Sequence, residues 1–278
     1  SPATIRAAAA RAMGRLPWSD VQLELIATQT LMSADGLTLP LVLRAFEKSK
    51  SVTVGTAMVR AMESAPKGAL NEAQVARALA TFPVAVKAAA KLLLAELKLA
   101  EAEQGKRLEE LAPLLAGGDV GRGRNVFFGQ KAICGTCHTI GKDGGHLGPD
   151  LTSIGAIRSG RDILEAIVFP NVTQVPGHEA FLVRADKSIY VGIVVDETAS
   201  ALTLRNAPGV EVRLERSTIE SITSSPISLM PAGLDRNLTQ KEFRDLLTFL
   251  QSQNGEQWLQ PSRLGKKDLR VRDSGIPE

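Results

Sequence analysis

The chain has 278 residues, is 44% hydrophobic but only 4% aromatic, and carries a formal net charge of +3. That length leaves room for two domains, each with a core of its own. The charge is too small and too evenly interspersed to argue for nucleic acid, and no apolar run approaches the roughly 18 residues that a membrane span requires.

Residues 1–116 read as all-helical. Alanine is abundant in the first hundred residues, which favours close-packed helices over a β-sandwich. Ser1 opens directly into helix-like sequence with no apolar leader, as expected of a mature protein or an excised piece of a longer one. Ser19 and Asp20 are good caps for the apolar periodicity of residues 21–27. Residues 39–46, 52–62 and 72–79 repeat that pattern, and 82–99 is the longest such stretch. Gly36, Pro66-Lys67-Gly68 and Pro83 punctuate the series. Short helices in series without a strand signal suggest stacked pairs of the HEAT or armadillo kind. No strict period is present, so an irregular helical bundle is the alternative.

Ala116-Gly117-Gly118-Asp119 marks a break, and Asp119 can cap a helix running to Phe128. Gly121 and Gly123 weaken that helix by roughly 1 kcal/mol each, a cost that makes sense where another helix crosses closely. Then comes Cys134-Gly135-Thr136-Cys137-His138. C-x-x-C-H reads as a c-type haem attachment site: two thiols three positions apart each form a thioether to one porphyrin, and the next residue can offer its imidazole to the iron. Both cysteines of the chain lie in this motif, so haem attachment leaves none for a structural disulfide.

Residues 144–155 are loop sequence with apolar residues set singly. Residues 161–169 read as a helix that Pro170 ends. From Phe181 the period changes: residues 181–184, 189–195, 201–204, 210–214 and 218–222 alternate or are β-branched, which makes about five short strands in a small twisted sheet or barrel-like meander. Asp186-Lys187-Ser188, Asp196-Glu197-Thr198 and Ala207-Pro208-Gly209 fit the turns. Residues 228–234 form an extended loop. Thr239 caps a last helix to Leu250, with Glu242 placed for a capping box, and the polar tail from Gln260 reads as loosely ordered.

His138 would supply one axial ligand of a bound iron. Met230, in a loop between Leu229 and Pro231 and on no periodic face, is the candidate for the other, since Pro231 stiffens the backbone that presents the sulfur. The other four methionines lie in the helical half and read as core filling. His146 and His178 read as solvated loop and turn histidines. Zinc on Cys134, Cys137, His138 and His146 is an alternative, but adjacent Cys137 and His138 suit one tetrahedral ion poorly and there is no second CxxC. A thioredoxin-like CxxC lacks the preceding strand and βαβ context. Ile133, Leu147, Leu151 and Ile154 would exclude water from the iron, and Arg158 and Arg161 are candidates to pair with haem propionates.

The helix with Gly123 and Phe127, the CxxCH, Gly148-Pro149-Asp150-Leu151, the methionine loop and Leu246-x-x-Phe249-Leu250 together resemble class I cytochrome c. The resemblance implies that first and last helices cross closely and that the Pro149 carbonyl accepts the proximal imidazole N–H. His138 and Met230 are 92 residues apart, long for a small cytochrome, and a β insertion at about 178–224 accounts for the excess. With Gly148–Gly155, Pro170-Asn171 and Ser228–Leu234, the stretch 118–252 is similar to the haem-binding domain of planctomycete and verrucomicrobial type. There an aromatic such as tyrosine is expected where His178 stands.

The expected fold class is mainly α: HEAT-like helical repeats over 1–116, then a cytochrome c fold over 117–255 carrying a small antiparallel β insertion, then a polar tail at 256–278. One covalent haem c with His/Met ligation implies electron transfer rather than catalysis, with a dehydrogenase as donor, a downstream protein as acceptor, and an exported, periplasmic location. The alternatives are a haem enzyme or gas sensor with a displaceable sixth ligand, and a protein- or glycan-binding scaffold with auxiliary haem.

Overall fold

The structure, a computed structural model, describes residues 3–65, 68–172, 175–207, 209–225 and 227–255. The expected breaks at Pro66, Lys67 and Pro208 and the tail 256–278 lie outside the described residues.

The N-terminal helices are α1 (Ala3–Met13), α2 (Asp20–Leu25), α3 (Leu39–Leu43), α4 (Val52–Glu63), α5 (Glu72–Leu79), α6 (Val84–Ala89) and α7 (Lys91–Leu111). Local chemistry starts α2, α4 and α5 close to where expected, whereas the stretch expected over 82–99 divides into α6 and α7, and α7 runs on to Leu111. Ser19 and Asn71 make capping boxes with Gln22 and Gln74, and Ser51 caps α4 by accepting from Val54 N. Their apolar faces share one core around Leu31, Phe46, Met58, Val75 and Phe82. Helix α2 tightens and loosens through a π turn, Ile26–Thr30, and a 3-10 turn, Leu31–Ser33.

Helix α7 leaves that core midway. Leu93, Leu94 and Leu97 pack on the first cluster, whereas Leu108 and Leu111 belong to a second. With Leu114 of the following 3-10 turn they meet Phe127 of α8 (Val120–Phe127), Ile163, Leu164 and Ile167 of α11 (Gly160–Val168), and Phe243, Leu246 and Phe249 of α12 (Gln240–Gln251). Between α8 and α11 lie two single-turn helices, α9 (Cys134–Cys137) and α10 (Ile154–Ile157), and a two-stranded ribbon of β1 (Thr139–Ile140) and β2 (Asp143–Gly144).

The remaining strands are β3 (Ala180–Ala185), β4 (Ser188–Glu197), β5 (Ala201–Arg205), β6 (Glu211–Glu215) and β7 (Ile219–Ser224), in the order β6-β5-β4-β3-β7. All pairs are antiparallel. The two edges, β6 and β7, are joined by a single 3-10 turn, Arg216–Thr218. Such a turn advances the chain by about 2 Å per residue, whereas a flat five-stranded sheet would set its edges about 19 Å apart. The sheet therefore coils toward closure around its own core of Phe181, Val183, Leu202, Leu204 and Leu214.

This overturns the expected fold class. About half of the chain is helical, and the five-stranded antiparallel sheet and the two-stranded ribbon make it a mixed helix-and-sheet protein, not a mainly α one with a small insertion. The reason is that Ala180–Ser224 buries a core of its own, so it is a folded unit rather than an excursion from a helical domain. The N-terminal helices run from 5 to 21 residues, and the longest, α7, is shared between the first core and the second. Among the described residues no helix is long and apolar enough to cross a membrane.

Candidate functional site

The CxxCH motif is one helical turn, α9, held from both ends. Ile133 precedes it at φ 49°, ψ 20°, the left-handed region where a β-branched residue is an outlier costing about 1–3 kcal/mol. Such strain persists only where the surroundings over-determine it. Here Ile133 N donates to Gly129 O, Thr136 N to Ile133 O and His138 N to Cys134 O. Phe128 lies so close to the turn that a Cβ at Gly135 would stand 2.5 Å from its ring.

His138 leaves the turn in extended conformation, and its Nδ1 lies 2.8 Å from Pro149 O. A carbonyl only accepts, so Nδ1 carries the proton and Nε2 keeps its lone pair. Burial, the larger effect, holds the imidazole below its ordinary pKa, which favours the neutral ring; the bond to Pro149 works in the opposite direction. Gly148 closes the underside of the ring: a Cβ there would lie 2.5 Å from His138 Cε1. These features leave a neutral, oriented imidazole, with its lone pair on Nε2, on the residue that directly follows the turn carrying both thiols.

The thiols themselves are not of the reactive kind. Burial pushes Cys134 up to about 11 and also raises Cys137, the reverse of the thiolate that a disulfide oxidoreductase needs. Among the described residues no three His, Cys, Asp or Glu side chains form a group that could hold a metal ion. His146 turns aside to Thr139: the Thr139 hydroxyl donates to Gly145 O at 2.6 Å, so the 2.9 Å contact between that hydroxyl and His146 Nδ1 has the imidazole as donor. A haem iron asks for two protein donors only, the porphyrin supplying the rest.

Met230 borders the same buried cluster as Cys134, Leu151 and Ile154, with Phe127 fully buried inside it. Its loop is tied down. Ser228 N donates to Asn171 Oδ1 at 2.8 Å, and Met230 N to Ser228 Oγ at 3.1 Å. Asn171 follows Pro170, which ends α11, so the Pro-Asn pair and the methionine loop form one device. Arg107 of α7 reaches the far side of the loop, 2.9 Å from buried Asp235.

No family model matches the chain, and no curated protein does.

The other candidates separate. Leu147 is buried, and Leu151 and Ile154 are half-buried. Ile133 is 44% exposed. Arg158 stands exposed at the end of α10, and Arg161 pairs with Glu109 of α7 at 2.9 Å on the surface. The close helix crossing is at Gly123, where a Cβ would collide with Asp245 O, and at Gly118, packed on Thr248; Gly121 meets nothing but its own cap, Asp119.

Three partners of the site carried no usable sequence signal. Asp245, buried in α12, receives Arg122 of α8 through Nε at 2.7 Å and Nη2 at 3.1 Å. Arg205 of β5 reaches His146 O, and His178 reaches Leu147 O. His178 is thus no bare turn residue; it touches the loop that follows the motif.

Proposed function

We propose that this chain is an electron-transfer c-type haem protein, with Cys134 and Cys137 as the thioether positions, His138 as proximal ligand and Met230 as the opposite ligand. The observation that carries this reading is the bond from His138 Nδ1 to Pro149 O, which in the neutral ring puts the proton on Nδ1 and the lone pair on Nε2, on the residue that directly follows the two-thiol turn. That bond also raises the basicity of the imidazole toward a metal.

The protein's part in the function is to hold and to shield. Bound there, a haem supplies a one-electron change at iron, and a thioether ligand favours its reduced state. Pro149 and Gly148 fix the plane of His138, so the ligand need not reorganise when the charge changes. Asn171 and Ser228 hold the methionine loop in place. Phe127, Leu147 and the partly buried Leu151 and Ile154 keep water away. With His138 and Met230 both holding the iron, the site would suit transfer of electrons between proteins rather than attack on a small substrate. A dehydrogenase donor, a downstream protein acceptor and an exported location belong to the same proposal, because covalent haem attachment takes place outside the cytoplasmic membrane.

The test is to produce the chain in a host that attaches haem c. A covalent haem on Cys134 and Cys137, with a low-spin ferric spectrum and a weak far-red band lost in Met230→Ala, is the expected result. A high-spin ferric spectrum of the unmodified protein would instead indicate an open sixth position and a haem enzyme or sensor. Absence of covalent haem would sink both readings.

A further inference from the structure

The β unit stands apart from the haem motif in sequence, yet two of its side chains grip the loop that follows that motif. Arg205 of β5 donates from Nη1 to His146 O at 2.9 Å, across 59 residues of sequence. His178, just ahead of β3, places Nδ1 3.2 Å from Leu147 O, across 31 residues. The two carbonyls are consecutive. From the other side the amides of Leu147 and Gly148 both donate to Cys137 O, at 3.0 and 2.8 Å. The segment 146–148 is therefore pinned on both sides, and it runs directly into Pro149, whose carbonyl fixes His138.

Arg205 is itself held, and so is the residue that follows His178. Arg205 Nε and Nη2 both reach Glu211 Oε1 on the neighbouring strand β6, at 3.0 and 2.6 Å. Beside His178, buried Glu179 accepts from Gly177 N at 2.8 Å and lies 3.4 Å from Arg6 of α1, whose guanidinium also covers the Phe181 ring. The pinned segment needs such support. It is preceded by Gly141 and Gly144 at positive φ and contains Gly148, so unsupported it would have many conformations to lose on ordering.

We infer that the β unit clamps the proximal loop, with His178 and Arg205 as positioning residues that keep Pro149 O against His138. The redox consequence rests on His138 being an iron ligand; the clamp on the loop does not.

The experiment uses the full chain in two forms, one made in a cytoplasm that attaches no haem and one made with haem attachment. The variants are Arg205→Ala, His178→Ala and the double variant. His178→Gln restores an N–H donor, and Arg184→Ala changes an exposed side chain of β3. In the haem-free chain, amide exchange at Leu147 and Gly148 rises at least about fivefold in each single alanine variant, the loss of one side-chain hydrogen bond. It rises further in the double variant, and stays close to the unmodified rate in His178→Gln and Arg184→Ala. In the haem-loaded chain the double variant also shifts the midpoint potential, and Arg184→Ala does not. Unchanged exchange in the double variant overturns the clamp; faster exchange with an unmoved potential keeps the clamp and overturns its effect on His138. If no haem attaches, the proposed function fails, and the exchange rates alone decide the clamp.

Discussion

Gly123 and Asp245 meet backbone to backbone: a Cβ at position 123 would fall on the carbonyl oxygen of Asp245 and crowd Phe249 Cβ. Phe127, one turn on, then reaches Phe249 with ring centroids 5.6 Å apart. The crossing of α8 and α12 thus leaves no room for a methyl group at position 123. Gly123→Ala must separate two backbones, and overpacking of this kind costs about 1–3 kcal/mol or more. Gly121→Ala, two residues away, meets only Asp119 at 3.5 Å. It should stabilise the protein by up to about 1 kcal/mol through helix propensity. Urea midpoints of the two variants check the opposite signs; equal shifts would place the crossing elsewhere.

The same crossing carries a charge pair. Asp245 is buried, and its carboxyl is held below the ordinary value, first by the hydrogen bond from Arg122, against the cost of burial. A depressed folded pKa means that the stabilisation is fully present above the unfolded value, near 3.9, and is lost as pH falls through the lower folded value. Asp245→Asn should remove that part of the acid dependence and cost about 1–3 kcal/mol at neutral pH. Arg122 is half-exposed, which keeps the figure below that of a fully buried pair. Stability measured from pH 7 down to 2 tests this, and parallel curves for the two proteins would refute it.

Glu242 offers a second titration close to the motif. Lys131, two residues before Ile133, lies 2.6 Å from it. The hydrogen bond from Lys131, followed by the cap bonds from Thr239, brings Glu242 down to about 2 from 4.5. Its contribution is therefore present above about pH 4.5 and fades as pH falls toward 2. In Lys131→Ala the Glu242 carboxyl should titrate higher, and only part of the way, because Thr239 still donates. Carbon-13 shifts of that carboxyl across the acid range measure it.

What the sequence shows of this molecule is what short-range chemistry decides. The caps at Ser19, Ser51, Asn71, Asp119 and Thr239 are all side chains bonding three residues ahead. The five strands follow the alternation from Phe181 onward. The balance of the fold is not legible in the same way, because alternation marks strands without showing that they close a core of their own. The grip of Arg205 on His146 O and of Arg122 on Asp245 spans 59 and 123 residues, and a single sequence holds no trace of such pairings. His178 follows Pro176 and Gly177, a setting that reads as a turn and hides its contact with Leu147. Met230 stood out for the opposite reason, an apolar residue in a loop with no face to serve.

Gly148 lies against the His138 ring, so that a Cβ there would stand 2.5 Å from Cε1 and 2.7 Å from Nδ1. Gly148→Ala must tilt the imidazole or move the loop, so the bond to Pro149 O should be the first casualty. The ring-nitrogen resonances of His138 report this directly: the protonated Nδ1 signal should broaden or shift toward rapid exchange, with a stability loss of about 1–3 kcal/mol. An unchanged Nδ1 signal would mean that the loop yields elsewhere.

Asn171 holds the Met230 loop through a single acceptor, Oδ1, 2.8 Å from Ser228 N. Asn171→Ala leaves that amide without its partner and should cost about 0.5–1.5 kcal/mol. Asn171→Asp keeps an acceptor in place and should cost less. In the haem-loaded protein the far-red band should weaken in Asn171→Ala, because Met230 N is bonded to Ser228 Oγ and moves with it, and persist in Asn171→Asp. If Met230 does not bind iron, the two spectra will be alike whatever the change in stability, so the pair of variants separates a loosened ligand from a loosened loop.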